Sequence, residues 1–296
     1  MWQADTFDPV TIERELGWAA ALGMNAIRVY LHDLLWEQDA DGLLQRIDHF
    51  LTLADGHGIR VMPVFFDDCY NPDPHLGPQP APVPGVHGSG WVQSPGPTAK
   101  SDPMQWARLE RYVKGVIGVF GTDPRVMAWD LYNEAGNSQQ GDASLPLLRA
   151  VFGWARAVHP RQPLTAPLWW ELPAINRFLL DACDLISFHN YQGTAHLERL
   201  IRQLRRHGRP LLCTEWLRRP LSNVTTHLPL FRAARVGCFN WGLVVGKTQT
   251  QYGWDSTPGA PEPALWFHDL LHPDGSPFDP DEAACFRRLT GRDRAD

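Results

Sequence analysis

Two glutamates stand directly after short apolar runs that lie far apart in the chain. Glu134 follows Val-Met-Ala-Trp-Asp-Leu-Tyr-Asn, and Glu215 follows Pro-Leu-Leu-Cys-Thr. Carboxylates without a special role fall mainly on exposed helix faces, so this placement points to chemistry. Two carboxylates from different strand ends can cleave a glycosidic bond, because one protonates the leaving oxygen while the other attacks the anomeric carbon or activates water.

Further polar and aromatic residues lie within or just after the other apolar runs. They are Arg28, Asp67, Asp68, Asn133, His189, Tyr191, Trp216 and Trp241. Simpler roles stay open for several of them. Arg28 could pair with a buried carboxylate, His189 could be a core histidine, and the two aspartates could cap the loop that follows them.

Tryptophan is unusually abundant, with 13 residues in the chain. Large rings bury much apolar area, so many of them belong to the core. Rings left in loops would instead form flat platforms for the apolar faces of sugars. The candidate platforms are Trp91, Trp169, Trp170, Trp216, Trp241 and Trp254.

Helical and strand patterns alternate along the chain, which predicts βαβ units and a parallel sheet. Strands are predicted at 25–31, 59–66, 126–132, 163–169, 185–189, 210–214 and 236–244. Helices are predicted at 8–23, 42–57, 103–121, 144–158, 171–182, 194–207, 224–235, 262–271 and 280–290. Seven strands fit either an open doubly wound sheet or a (β/α)8 TIM barrel that lacks its first strand.

Length and composition narrow the class of protein. A chain of 296 residues suits a single catalytic barrel domain spanning 1–296, with a long proline-rich loop at about 71–102. The net charge of -6 argues against nucleic acid as a partner, and no apolar run is long enough to predict a membrane span.

Metal and cofactor sites find little support in the sequence. The five cysteines are scattered, and neither CxxC nor HExxH occurs. A metal-dependent hydrolase would need a larger set than His189 with Asp67 and Asp68. We therefore expect no metal and no cofactor. The two glutamates and the candidate tryptophan platforms predict a carbohydrate substrate.

The motifs around the two glutamates resemble those of clan A glycoside hydrolases, most closely the cellulase-like group around family 5. The run Trp-Asp-Leu-Tyr-Asn-Glu134 is similar to their Asn-Glu motif at the end of strand four, and Thr214-Glu215-Trp216 is similar to their strand-seven motif. Glu215 lies 81 positions after Glu134, which leaves room for three βα units. Arg28, the His189–Tyr191 stretch and Trp241 match the strand-two, strand-six and strand-eight positions.

This resemblance implies a retaining mechanism in which Glu134 is the acid and base and Glu215 is the nucleophile. It also implies that the two carboxyl groups lie about 5–5.5 Å apart. Asn133 would bond the sugar 2-hydroxyl, while Tyr191 and Arg28 would keep Glu215 ionised. His189 would contact substrate or the carboxylates, Trp241 would form the floor of the sugar site, and Asp67, Asp68, Trp91 and Trp216 would add contacts.

The beginning of the chain departs from the family pattern. If the Asn-Glu strand is number four, then 25–31 is strand two, and no strand one precedes the first helix. We expect the natural chain to start before Met1 or the gene to be truncated, and cleavage activity is then in question. The alternative is a non-catalytic glycan-binding protein on an inactive barrel. The sequence does not show which sugar is cleaved, which oligomeric state the protein has or in which compartment it lies.

Overall fold

A computed structural model of the protein describes residues 1–291. Its strands are β1 (Ala26–Tyr30), β2 (Arg60–Val64), β3 (Trp129–Asp130), β4 (Leu164–Thr165), β5 (Ile186–His189), β6 (Leu211–Trp216) and β7 (Gly237–Asn240). Its helices are α1 (Pro9–Ala21), α2 (Asp33–Gly56), α3 (Pro97–Ser101), α4 (Trp106–Phe120), α5 (Leu145–Ala157), α6 (Pro173–Ala182), α7 (Thr194–Leu204), α8 (Val224–Ala234) and α9 (Pro280–Thr290). Within the described residues no strand precedes α1, as the sequence predicted.

The chain divides into two compact units. The first comprises residues 1–13, 26–79 and 92–186, and the second comprises residues 14–25, 80–91 and 187–296. The single-domain organisation stays a prediction.

The first unit holds a parallel sheet in the order β1-β2-β3-β4. The ladder between β2 and β3 is broken because Pro63 has no N–H. Val61 and Phe65, on either side of Pro63, donate to Arg125 and Asp130 on this edge. The missing donor in between explains why the predicted 126–132 strand is reduced to a bridge at Val126 and the pair Trp129–Asp130.

The second unit holds the sheet β5-β6-β7, in which β6 and β7 are parallel. The register places Cys213 opposite Cys238 and Trp216 opposite Asn240. Strand β6 thus has one residue more than β7 between these two pairs, which is a β-bulge. Glu215 lies inside this bulge, and bulges re-aim side chains at functional sites.

The helices form where apolar residues recur at helical spacing. In α7 the buried residues are Leu197, Ile201 and Leu204, and its other face carries charged side chains. Helix α2 begins well before the predicted 42–57 span and has a kink at Asp39. Among the described residues no helix has both the length and the apolar character needed to cross a bilayer.

The helix predicted at 262–271 is wrong, because this segment is irregular. Its backbone groups bond to distant loops instead of to one another. Phe267 donates to Gln251, and Leu270 donates to Leu243, while the Phe267 carbonyl accepts from Arg219. The apolar spacing in this segment therefore reflects burial of single residues in an extended stretch, a pattern that periodicity alone cannot separate from a short helix.

A buried ion pair attaches α9 to the loop after β6. The Arg219 Nε lies 3.1 and 3.2 Å from the two Glu282 carboxylate oxygens. The side chains are only 3% and 5% exposed, and Arg219 also donates to the carbonyls of Trp266 and Asp269. The guanidinium thus satisfies both a buried charge and two buried carbonyls.

We expect Arg219→Met to destabilise the protein by about 3–5 kcal/mol, because it leaves the Glu282 carboxylate buried without its partner. Urea unfolding followed by tryptophan fluorescence measures the change. Lys114→Met is the control, since Lys114 and Glu110 form an exposed pair whose loss costs at most about 0.5 kcal/mol. Equal unfolding midpoints for the two variants would contradict the prediction.

Candidate active site

Polar residues follow β2 at the carboxyl end of the first sheet. The Asp67 backbone pairs with Ser94, and its carboxylate accepts from the Asn133 amide at 2.9 Å and from the Cys69 N–H at 3.1 Å. Asp67 is 3% exposed. It therefore connects the ends of β2 and β3 and holds Asn133 from one side.

Asp68 lies in a buried network that fixes the loop after β3. Its carboxylate accepts from Lys100 at 2.9 Å, from Tyr132 at 2.9 Å, from the Gly136 N–H at 2.8 Å and from Ser144. Burial lowers the pKa of Lys100 and the adjacent Asp68 charge opposes this shift. Four donors on one carboxylate favour a structural role for Asp68 over the sugar contact suggested by the sequence.

Arg28 lies against Asp130, a residue buried inside the third apolar run. Its Nε and Nη2 are 2.9 and 2.7 Å from one Asp130 oxygen. Its Nη2 also donates to the Asn133 Oδ1 at 2.7 Å. This contact fixes which way the Asn133 amide points, with its oxygen towards Arg28 and its NH2 towards Asp67. The predicted action of Arg28 on Glu215 stays a prediction.

Glu134 follows Asn133 with its backbone in the left-handed region, at φ 43°. Non-glycine residues in that region cost about 1 kcal/mol or more and cluster at functional sites. The carboxylate Oε2 accepts from the Asn137 amide at 2.5 Å and from the Cys69 thiol at 3.4 Å. The residue is 9% exposed.

Glu215 lies in the β6 bulge of the second unit and is 5% exposed. Its Oε2 accepts from the Tyr191 hydroxyl at 2.8 Å, and the His189 Nδ1 is 3.4 Å from the same oxygen. A donated O–H stabilises the ionised carboxylate. His189, Tyr191 and Glu215, which the sequence analysis placed at the ends of the fifth and sixth predicted strands, are therefore in contact within this unit.

Two further histidines lie behind Tyr191, and the sequence did not single them out. The His268 ring is 5.4 Å from the Tyr191 ring and 5.2 Å from the His87 ring. Burial lowers the pKa of His87 and lowers that of His268 well below 6.5, with the neighbouring His87 adding to the second shift. These imidazoles are neutral near pH 7.

The segment 80–91 of the long loop is held within the second unit by Gln249. The Gln249 amide donates to the carbonyls of Val83 and Val86, and its oxygen accepts from the Gly85 N–H. At the end of this segment Trp91 meets Trp241 edge to face, with 5.5 Å between ring centroids. Both rings are partly exposed, so they can offer apolar faces.

The other candidate tryptophans differ in exposure. Trp216 is 1% exposed and stacks on His227 of α8, which favours packing over the platform role suggested by the sequence. Trp170 is 65% exposed and lies 6.1 Å from Trp169. Trp254 is 47% exposed, and the Arg218 guanidinium lies over its ring at 5.0 Å.

Several residues that the sequence analysis missed contribute to these networks, and five of them lie close to the candidate glutamates, to Arg28 or to Tyr191. They are Cys69, His87, Asp130, Asn137 and His268. Asp130 carried a signal, because a charge inside an apolar run must have a buried partner. The other four depend on tertiary placement that no local pattern encodes.

We expect protein stability to fall as the pH is lowered below 6.5, because a buried neutral histidine with a lowered pKa resists a proton that the unfolded chain accepts. His268 should contribute a slope of up to about 1.4 kcal/mol per pH unit. Urea unfolding at several pH values measures the slope for the wild type and for His268→Asn, which should be flatter.

The control is His207→Asn, which changes an exposed histidine and should keep the wild-type slope. Burial raises the pKa of Asp269 to about 6, which opposes the trend between pH 6 and 4. Asp269 is present in both variants, so the difference between them isolates His268. Identical slopes would contradict the prediction.

No protein-family model matches the chain, and no curated protein matches it. Several solved structures are similar to the chain in fold. A GH5_18 protein from Streptomyces cattleya in complex with Manβ1-4GlcNAc has 14% identity and a TM-score of 0.67, covering 98% of this chain and 77% of its own. A β-glucosidase has 13% identity and a TM-score of 0.63, covering 96% and 88%. An endo-β-1,4-mannanase from Thermotoga petrophila has 14% identity and a TM-score of 0.64, covering 96% and 73%. The chain therefore has the (β/α)-barrel fold of these glycosidases, which the sequence motifs predicted.

Proposed function

We propose that this protein is a retaining β-glycoside hydrolase that acts on β-linked oligo- or polysaccharides by double displacement. Glu215 attacks the anomeric carbon while Glu134 gives its proton to the leaving oxygen, so the C–O bond to the leaving group breaks as a glycosyl ester forms. Glu134 then takes a proton from water, and the resulting attack releases the sugar and frees Glu215.

The observation that carries this proposal is the surroundings of Glu215. A nucleophile must be ionised and aimed, and the Tyr191 hydroxyl at 2.8 Å serves both needs. His189 approaches the same oxygen. These residues belong to β5 and β6 and to the loops at their carboxyl ends, where barrel enzymes carry their active sites.

Glu134 suits the acid and base role for a different reason. It accepts hydrogen bonds from the neutral amide of Asn137 and the neutral thiol of Cys69, and it is largely buried, which suits a residue that acts on the leaving oxygen. Asn133 beside it is fixed by Arg28 and Asp67, which presets its oxygen to accept from a sugar hydroxyl.

The substrate class follows from neighbours and aromatic surfaces. The similar structures include a mannanase, a β-glucosidase and a protein bound to Manβ1-4GlcNAc, so β-mannosides and β-glucosides are the first substrates to test. The paired rings of Trp91 and Trp241 offer the apolar contact that pyranose faces need.

We expect Glu134→Ala and Glu215→Ala each to lose about 10²–10⁴-fold or more in kcat/KM on aryl β-glycosides whose leaving group needs protonation, because each removes a group that reacts directly with the substrate. Turnover of aryl β-mannosides, β-glucosides, β-xylosides and β-galactosides measures this. Glu198→Ala, which changes an exposed glutamate on α7, is the control and should keep full activity.

Two further measurements distinguish double displacement from an inverting mechanism and from glycan binding without turnover. Proton NMR of the first product should show the β-anomer, and a 2-fluoro glycoside of the matching sugar should label Glu215. An α-anomer would refute double displacement. Sugar binding without turnover on any substrate of the panel would instead support the glycan-binding alternative.

A further inference from the structure

The thiol of Cys69 and the amide of Asn137 meet at one oxygen of Glu134. The Cys69 Sγ lies 3.4 Å from the Glu134 Oε2, and the Asn137 Nδ2 lies 2.5 Å from it. The same Asn137 nitrogen lies 3.3 Å from the Cys69 sulfur. The three side chains thus form a closed triangle in which every edge is a hydrogen bond.

The donors of this triangle are all accounted for. One N–H of Asn137 goes to Glu134 and the other goes to Cys69. Asn133 divides its amide hydrogens in the same way, one to Asp67 at 2.9 Å and one to Cys69 at 3.5 Å. The sulfur therefore accepts two N–H groups, and its own hydrogen points to Glu134.

The chain of contacts begins at a permanent charge. Arg28 donates to the Asn133 oxygen, Asn133 donates to the Cys69 sulfur, and Cys69 donates to the Glu134 carboxylate. Donors and acceptors in such a row polarise one another in the same sense. Cys69 is the member that connects Asn133 with Glu134, and it is 9% exposed.

We propose that Cys69 and Asn137 are positioning residues that fix the Glu134 carboxyl for proton transfer, which rests on the acid and base role proposed above. Two donors on Oε2 set the plane of the carboxyl group and hence the place of Oε1. Proton transfer depends steeply on this placement, because a displacement of about 1 Å can cost a hundredfold in rate. Because φ of Glu134 is positive, its side chain leaves the backbone in a direction that is uncommon for a residue other than glycine. The two donors hold the carboxyl group in the resulting position.

A sulfur atom suits this position better than oxygen does. The three partners lie 3.3–3.5 Å from Sγ, which is normal for sulfur and too long for a hydroxyl. The shorter C–O bond of serine draws its oxygen towards its own Cβ, so Cys69→Ser keeps a donor but cannot reach all three partners. Cys69→Ala removes the donor altogether.

The experiment compares leaving groups on the full chain, using whichever aryl β-glycoside it cleaves. A dinitrophenyl leaving group departs almost without protonation, whereas a methylumbelliferyl or alkyl group needs the acid. We expect Asn137→Ala and Cys69→Ala to lose about 10–100-fold in kcat/KM on the poor leaving group and less than about threefold on the activated one. Cys69→Ser should fall between Cys69→Ala and the wild type.

Cys183→Ala is the matched control, since Cys183 is another buried cysteine thiol of the same unit, with its Sγ 3.8 Å from the Ala166 carbonyl. It should lower both rates equally or not at all. Thermal unfolding of every variant tests for loss of fold, and the ratio of the two rates corrects for any inactive fraction.

Equal losses on both leaving groups would overturn the proposal, because a merely structural role moves both rates together. Full activity of Asn137→Ala and Cys69→Ala on the poor leaving group would overturn it as well. Failure of the proposed function has a different signature: either the wild type cleaves none of the glycosides, or Glu134→Ala retains the wild-type ratio of the two rates.

Discussion

The first unit is organised around the buried ion pair of Arg28 and Asp130. Asp130 is fully buried inside an apolar strand, so its charge requires a cation at short range. Once Arg28 occupies that place, its Nη2 also donates to the Asn133 oxygen and so orients the amide, and Asn133 in turn contacts Asp67 and Cys69. The placement of Glu134 thus depends on a charge pair that lies deeper in the sheet.

Glu134 and Glu215 are supported in different ways. Glu134 is held by neutral donors from the loops after β2 and β3, on a backbone in the left-handed region. Glu215 is held by a phenol and an imidazole from the loop and strand of β5, at a bulge in its own strand. A pair of carboxyl groups can divide into a proton carrier and a nucleophile only when their surroundings differ.

Much of the scaffold could be predicted from the sequence, because apolar periodicity records which faces are buried. The seven strands and most of the helices lie where that pattern placed them. The failures have physical causes: Pro63 removed a ladder donor and shortened β3, and 262–271 satisfies its backbone through distant loops. The candidate site was predictable where a residue follows a strand directly. Cys69 meets Asn137, and His268 meets Tyr191, only through folding, so no local signal marks these residues.

The backbone at Glu134 favours a residue without a side chain. In the left-handed region glycine avoids a cost of about 1 kcal/mol that glutamate incurs there. Glu134→Gly would therefore relieve backbone strain while it removes the carboxyl group proposed as acid and base. At this position backbone stability favours glycine, whereas the proposed proton transfer needs a carboxyl group, so folding and the proposed catalysis make opposite demands on the residue.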